Sequence, residues 1–243
     1  MKRLSFVIIS AVVASAASSQ NVQLHYDLGH SLYRELGGRP NVTTTVEMFR
    51  PDRWGSTFLF TDIDYYSDGA AGAYWEVSRE VRVGHCGWAA HAEYNGGLTS
   101  FEHTAVAARF QHAALAGAAW NWASADLRRT FSAQLLYKQY FRGMGRAAFS
   151  SAQATVVWGL SLCSGRLDVS GYADVWLDPD VAGHCVVQSE PQAWYNLRTL
   201  PGWDDVPLSI GAEVELSYRF IHDGAGQPAG WYAIPTVALK WTF

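Results

Sequence analysis

The chain has 243 residues, of which 16% are charged and 14% aromatic, and its formal net charge is −4. No basic cluster is apparent, so we expect no nucleic-acid binding. The cysteines Cys86, Cys163 and Cys185 are odd in number and widely spaced, so one disulfide at most is expected. No motif for a metal site, a hydrolase nucleophile or a phosphate-binding loop is found, so we expect no enzyme activity, cofactor or metal.

The N-terminal segment has the three parts of a secretory signal peptide. Lys2 and Arg3 precede an apolar run over residues 6–13, and small residues follow at 14–16. This run of about ten residues is too short for a spanning helix, which needs about 20. We therefore expect residues 1–20 to be removed and residues 21–243 to form one domain.

From residue 22 onward, apolar and polar residues alternate with the period of two that is typical of strands. The clearest segments are 166–177 and 207–220, each with a mostly apolar and a mostly polar face. Strands of soluble sandwiches usually have about five or six residues, whereas a tilted strand needs about 9–11 residues to cross a bilayer. Strand length therefore favours a transmembrane barrel over a soluble β protein.

The pattern predicts an all-β fold, a membrane-spanning antiparallel barrel of twelve strands with both termini in the periplasm. Short turns at 51–53, 84–85 and 163–165 and long loops at 31–40, 98–108 and 142–149 agree with this, although 199–206 is long for a periplasmic turn. The predicted strands are 22–30, 41–50, 54–66, 72–83, 86–97, 109–123, 129–141, 150–162, 166–177, 184–198, 207–221 and 230–243.

The last strand alternates up to the terminal residue, Phe243. A terminal Phe on an amphipathic strand resembles the signal that the outer-membrane assembly machinery recognises in bacterial barrels. We therefore expect this machinery and the outer-membrane lipid bilayer to be partners of the chain. Large aromatic residues near the strand ends are expected to form interfacial girdles on the outer face. They are Trp54, Trp75, Trp88, Trp120, Trp122, Tyr218 and Trp241.

The more polar face of each strand is expected to line the lumen, where carboxylates outnumber lysines and arginines. Around eight strands leave almost no lumen and about sixteen leave a wide one, so twelve suggest a narrow pore. An acidic wall disfavours the entry of anions. Aromatic rings can stack on a nucleoside base, and carboxylates can accept hydrogen bonds from the ribose hydroxyls. The candidate solute-binding residues are Glu47, Phe58, Phe60, Asp62, Asp64, Tyr172, Asp174 and Trp176. Alternatively, these residues only hold the barrel together by internal ion pairs and ring packing.

Four segments carry a resemblance to a known family. They are residues 21–66, YWEVSREVRVG over 74–84, AEYNGGL over 92–98 and LLYKQYF over 135–141. These segments resemble an uncharacterised outer-membrane family of Bacteroidota, itself similar to the Tsx nucleoside-specific channel-forming proteins. The resemblance implies a monomeric twelve-stranded barrel with a narrow pore for nucleosides. It does not assign individual binding residues.

Three functions follow as hypotheses. The first is a passive, narrow channel for small solutes, with nucleosides preferred. The second is a closed structural or partner-binding barrel without transport activity. The third is a membrane-embedded enzyme that uses His91 or His112, but no motif places Ser, His and Asn together at a lipid-facing position.

Overall fold

The protein is an all-β barrel in a computed structural model that describes residues 19–100, 106–143, 145–179, 185–221 and 230–243. The predicted signal peptide lies outside these residues, except for Ser19 and Gln20, which begin the first strand. The removal of residues 1–20 therefore stays a prediction. In the described part of the chain, no helix is long and apolar enough to cross a bilayer.

Among the described residues, fourteen strands form one sheet, and a short α-helix, α1 (Gly29–Leu32), lies between the first two strands. The strands are β1 (Ser19–Asp27), β2 (Val42–Pro51), β3 (Gly55–Tyr66), β4 (Gly69–Arg82), β5 (Trp88–Ser100), β6 (Ala107–Arg109), β7 (Ala113–Ala123), β8 (Arg129–Tyr140), β9 (Phe149–Leu162), β10 (Leu167–Leu177), β11 (Cys185–Ser189), β12 (Gln192–Asn196), β13 (Leu208–Tyr218) and β14 (Trp231–Thr242).

The sheet closes on itself because the first strand pairs with the last. Val22 lies opposite Trp241 and Tyr26 opposite Val237, in antiparallel register. Strands β6 and β7 together make one pass of the wall, and β11 and β12 make another. The fourteen strands therefore make twelve passes, which confirms the predicted closed twelve-stranded barrel.

One interruption of the wall has a cause that is visible in the sequence. Pro191 lies between β11 and β12 and has no N–H to donate to a neighbouring strand. The backbone stays connected because Glu190 N donates to Tyr172 O at 3.2 Å and Val214 N donates to Pro191 O at 3.0 Å. The prediction of a continuous strand over 184–198 was wrong at this point.

The first strand also ends earlier than its predicted end at residue 30. The Asp27 carboxylate accepts a hydrogen bond of 2.5 Å from Gly29 N, and α1 begins there. This local bond between a side chain and the backbone competes with continuation of the strand. Residues 28–41 consequently form a separate segment, which we call the inward loop.

The first described residue, Ser19, the C-terminal Phe243 and five connections lie at one end of the barrel, which we call the terminal end. These connections are 52–54, 83–87, 124–128, 163–166 and 197–207. The opposite end, the loop end, carries the inward loop and the connection 141–148, but also the two-residue turn 67–68. Among the connections that the structure describes, 67–68 and 197–207 depart from the predicted alternation of short and long connections. The predicted long loop 98–108 lies partly outside the described residues, at 101–105.

The turn between β2 and β3 is shaped by Asp52. Its carboxylate accepts backbone hydrogen bonds from Trp54 N at 2.7 Å and Gly55 N at 2.9 Å. Arg79 donates to the same carboxylate at 2.6 Å. The Arg79 hydrogen bond and these backbone bonds hold the pKa of Asp52 well below its usual range.

The two faces of the wall differ in polarity, as the alternation predicts. On β1, the inward Gln23 and His25 are buried, whereas the outward Leu24 and Tyr26 are exposed. The strand register places the predicted aromatic residues of β4, β5, β7, β13 and β14 outward, and Trp54 lies in the adjoining turn. The exposed apolar side of the barrel is therefore the surface that would meet lipid.

Candidate functional site

The interior of the barrel contains a set of polar and aromatic side chains that are only half-buried. They come from two parts of the wall, β2 to β4 and the segment from β10 to β13. We call this set the acidic lining. Its members are Thr43, Glu47, Phe58, Phe60, Asp62, Asp64, Tyr74, Glu76, Tyr172, Asp174, Glu190 and Glu213.

The register between β2 and β3 holds two carboxylates of the lining in place. Thr43 lies opposite Asp64 and Thr45 opposite Asp62, so the hydroxyls and carboxylates share the inner face. Thr43 Oγ1 donates to Asp64 Oδ1 at 2.6 Å, and Thr45 Oγ1 donates to Asp62. Cross-strand pairs of this kind stabilise a sheet and restrict side-chain rotation. The TTT run of β2 therefore positions the two aspartates.

Aromatic rings lie beside these carboxylates. The ring centroids of Phe60 and Tyr74 are 6.4 Å apart, and those of Tyr74 and Phe110 are also 6.4 Å apart. The Tyr74 hydroxyl donates a hydrogen bond of 2.7 Å to the Glu76 carboxylate. Gly97 leaves room for the Phe110 ring, since a Cβ there would lie 2.9 Å from ring atom Cε2. This part of the lining thus combines ring faces with hydrogen-bond acceptors.

The other part of the lining surrounds Lys138, which is buried. Its ammonium donates to Gln153 at 2.7 Å and lies 4.9 Å from the Tyr140 ring centroid and 4.8 Å from that of Trp176. The charges of Glu76, Glu93 and Asp174 act on this ammonium. Cation–π contacts and the nearby carboxylates together compensate for the burial of the charge.

Acidic side chains outnumber basic ones on the inner face of the described strands. On the described strands, the inward lysines and arginines are Lys138, Lys240 and Arg82, which lies at the terminal end of β4. Arg39 enters from the inward loop. Lys240 lies 4.1 Å from the Trp194 ring centroid. The inward carboxylates are more numerous: Asp27, Glu47, Asp62, Asp64, Glu76, Glu80, Glu93, Asp168, Asp174, Glu190, Glu213 and Glu215.

All eight candidate residues lie on inward faces, but they fall into two groups. Glu47, Phe58, Phe60, Asp62 and Asp64 are neighbours on β2 and β3. The others, on β10, belong to a different part of the wall, although the charge of Glu76 on β4 acts on Tyr172. Seven of the candidates are half-buried, while Trp176 is only 8% exposed and packs edge-on against Phe220. Trp176 therefore packs within the interior, whereas the other seven side chains are partly exposed to the lumen.

Some interior residues were not among the sequence candidates. Tyr74 could have been found, because period-two alternation places it beside Asp62 on the next strand. Glu213 and Lys138 also lie on inward faces, but neither was a candidate. Arg39 had no local signal at all, since it lies in a segment that was predicted to be an outside loop.

His91 and His112, the two histidines of the enzyme hypothesis, lie on opposite faces of the wall or beside it. His91 lies inside the barrel, 3.3 Å from Glu80 and 3.1 Å from Glu93. His112 contacts the hydroxyl of Tyr94, whose side chain points outward. Among the described residues, no group of three or more His, Cys, Asp and Glu side chains has the geometry of a metal site.

The fold is similar to that of solved outer-membrane proteins. The NanC porin matches with a TM-score of 0.56 at 8% identity, over 92% of this chain and all of that one. LpxR from Salmonella typhimurium has a TM-score of 0.45 at 10% identity, covering 93% of this chain and all of LpxR. The channel DcaP of Acinetobacter baumannii has a TM-score of 0.38 at 12% identity, covering 85% and 64%. The comparison of folds therefore rests on NanC.

Fold and surface together identify the location and the family of the protein. A closed barrel with an apolar outer face, similar to an outer-membrane porin, belongs in the bacterial outer membrane. None of the curated proteins matches the chain in sequence. A family model matches residues 19–243, and the chain belongs to that family, the domain of unknown function DUF5020.

Proposed function

We propose that the barrel is a passive, narrow channel for small neutral or cationic solutes, with nucleosides as the preferred class. The observation that carries this proposal is the acidic lining, a half-buried band of carboxylates and rings inside a closed barrel. A barrel that needed its interior only for packing would gain nothing from so many carboxylates, because burying charges without partners is costly.

The charge of the lining supports discrimination between solutes. Asp62 and Glu213 face the same lumen from opposite parts of the lining, where Thr45 donates to Asp62 and Gln192 donates to Glu213. A concentration of like charge in a narrow pore raises the energy of an entering anion and lowers that of a cation. Neutral solutes are admitted according to their size and their hydrogen bonds.

The rings of the lining support nucleosides in particular. Phe58 and Phe60 share the inner face of β3 with Asp62, so a flat base and a hydroxyl-bearing sugar could be contacted together. Rings stack on bases, and carboxylates accept hydrogen bonds from ribose hydroxyls. The sequence resemblance to the Tsx-related group points to the same solutes. The porin similarity supports transport in general.

The same proposal includes an orientation and an assembly route. The terminal end faces the periplasm, the barrel acts as a monomer, and the strand ending at Phe243 engages the outer-membrane assembly machinery. Phe243 lies at the terminal end and is 73% exposed, so it is accessible there.

Solute flux through reconstituted protein tests the proposal directly. Purified barrel in liposomes should admit adenosine and uridine faster than the corresponding monophosphates, which differ mainly by their negative charge. In planar bilayers, the single-channel current should be reduced by added nucleoside. A sugar of similar mass is the control for size. If the liposomes admit no solute and the bilayers carry no current, the channel proposal is wrong.

A second candidate is a closed structural or partner-binding barrel. It is favoured by interior side chains that are completely buried, such as Trp194 and Ile234, and by the inward position of residues 28–41. These groups fill part of the lumen. Folded protein that gives neither swelling nor current would support this candidate.

A further inference from the structure

The inward loop sends a positive charge into the barrel. Arg39 Nε donates to Asp27 Oδ2 at 2.9 Å, and Arg39 Nη2 forms an ion pair with Glu215. Asp27 ends β1 and Glu215 lies near the end of β13, so the pair joins two parts of the wall at the loop end. Both carboxylates are inward and buried. Arg39 therefore lies within the mouth of the barrel.

The position of the loop does not depend on Arg39 alone. Leu36 is buried in a cluster with Ile221, Tyr232 and Ile234, and Tyr33 packs against this cluster. Tyr232 also donates its hydroxyl hydrogen bond to Glu35 at 3.2 Å. Because apolar packing holds the loop, removal of the Arg39 charge should leave the backbone of the loop in place.

The charge of Arg39 acts on the acidic lining beyond its two ion-pair partners. It acts on Asp64, an inward member of the lining near the loop end of β3. Glu215 keeps one buried oxygen, Oε1, without a hydrogen-bond partner among the described residues. The mouth thus contains three carboxylates and the guanidinium of Arg39. One carboxylate oxygen there, Glu215 Oε1, can still accept a hydrogen bond from a solute.

We propose that Arg39 moderates the charge selectivity of the channel by offsetting acidic side chains at its mouth. This inference rests on the proposed channel function and adds its selectivity mechanism. Arg39 acts as a tethered counter-ion that offsets part of the negative charge at the mouth and competes with permeating cations for Asp27 and Glu215. Its removal leaves these carboxylates free to attract small inorganic or organic cations.

Reversal potentials in a salt gradient across planar bilayers measure this effect. The Arg39→Ala variant should increase the ratio of K⁺ to Cl⁻ permeability by about five-fold or more, comparable to the effect of one unit charge ~4 Å from an ion in water. Arg39→Lys should remain close to the wild type. Arg34→Ala is the matched control, since Arg34 is an exposed residue of the same loop and carries the same charge.

The outcomes separate this inference from the channel proposal. If the wild type conducts and folded Arg39→Ala has the same permeability ratio, the channel stands and the role of Arg39 is refuted. A similar increase in Arg34→Ala would also refute it, because it would show a general effect of loop charge. If neither the wild type nor Arg39→Ala conducts, both proposals fail. The shift of electrophoretic mobility on heating confirms that each variant is folded.

Discussion

The ring of Tyr33 in the inward loop meets the ring of Tyr232 on β14 edge-on, with centroids 4.9 Å apart. Tyr33 also donates its hydroxyl hydrogen bond to Ala233 O at 3.2 Å. These contacts join a segment near the start of the chain to its last strand. The loop is therefore part of the barrel interior and partly fills the lumen at the loop end.

Removal of the Leu36 side chain should loosen the inward loop. Leu→Ala changes at buried positions cost about 2–5 kcal/mol, and Leu36 is 5% exposed in the cluster that holds the loop. We expect Leu36→Ala to be cleaved by trypsin within the loop, at Arg34, much faster than the wild type, whereas Arg39 is not a trypsin site because Pro40 follows it. Leu32→Ala, at a position that is 58% exposed, is the control. Equal cleavage rates in the two variants would contradict the packing role of Leu36.

Neutralisation of the acidic lining should change selectivity in the opposite direction to the loss of Arg39. Asp62→Asn removes a half-buried carboxylate but keeps an acceptor for the Thr45 hydroxyl. We expect the ratio of K⁺ to Cl⁻ permeability to fall several-fold, because the negative potential of the pore becomes weaker. Asp126→Asn is the control, since Asp126 lies in an exposed turn at the terminal end. An unchanged ratio in folded Asp62→Asn would show that Asp62 is not on the path of the ions.

The sequence predicted which face each lining residue occupies, but it did not predict the loop. Period two leaves no freedom once one residue of a strand is assigned, so Asp62 places Phe60 and Asp64 on the same face. The contact of Arg39 with Glu215 joins residues 176 positions apart. No local pattern encodes such a contact, because it depends on how the closed barrel brings β1 and β13 together.

The interruptions of strands were predictable to different degrees. Pro191 is a recognised break in a strand pattern and could have divided the tenth predicted strand. The break between β6 and β7 contains Phe110, whose ring fits against Gly97 of β5. This packing requires knowledge of the strand register, which the sequence of either segment alone does not provide.

The turn at Asp52 should make barrel stability depend on pH. Because the pKa of Asp52 is lower in the folded state than in the unfolded state, its contribution is full above about pH 4 and declines as the pH falls further. We expect Asp52→Asn to unfold at a lower urea concentration than the wild type at neutral pH. Below about pH 4, the difference between the two urea midpoints should become smaller. Asp204→Asn, at an exposed position of another connection, is the control. A difference that is constant with pH would exclude the carboxylate charge as its cause.

Close approach of β7 and β8 requires a glycine at position 117. A Cβ at Gly117 would lie 2.9 Å from Leu136 Cα and even closer to the carbonyl oxygen of Leu135. Overpacking of this kind costs about 1–3 kcal/mol, so Gly117→Ala should lower the urea midpoint of unfolding. Gly38→Ala should have little effect, because nothing lies within 4 Å of a Cβ at that position. If both variants unfold at the same urea concentration, the wall must relax around Gly117 at no cost.

The assignment of the outer face to lipid can be tested at Leu135. This residue lies in the middle of β8, points outward and is 70% exposed. A lysine in the middle of the lipid-facing surface of a barrel costs about 2–4 kcal/mol, so Leu135→Lys should fold into liposomes with a correspondingly lower stability. Leu32→Lys, in the inward loop, is the control, and its stability in liposomes should decrease far less. If Leu135→Lys were as stable as the wild type in liposomes, position 135 could not lie in the hydrocarbon layer, and the proposed placement of the barrel in the membrane would have to change.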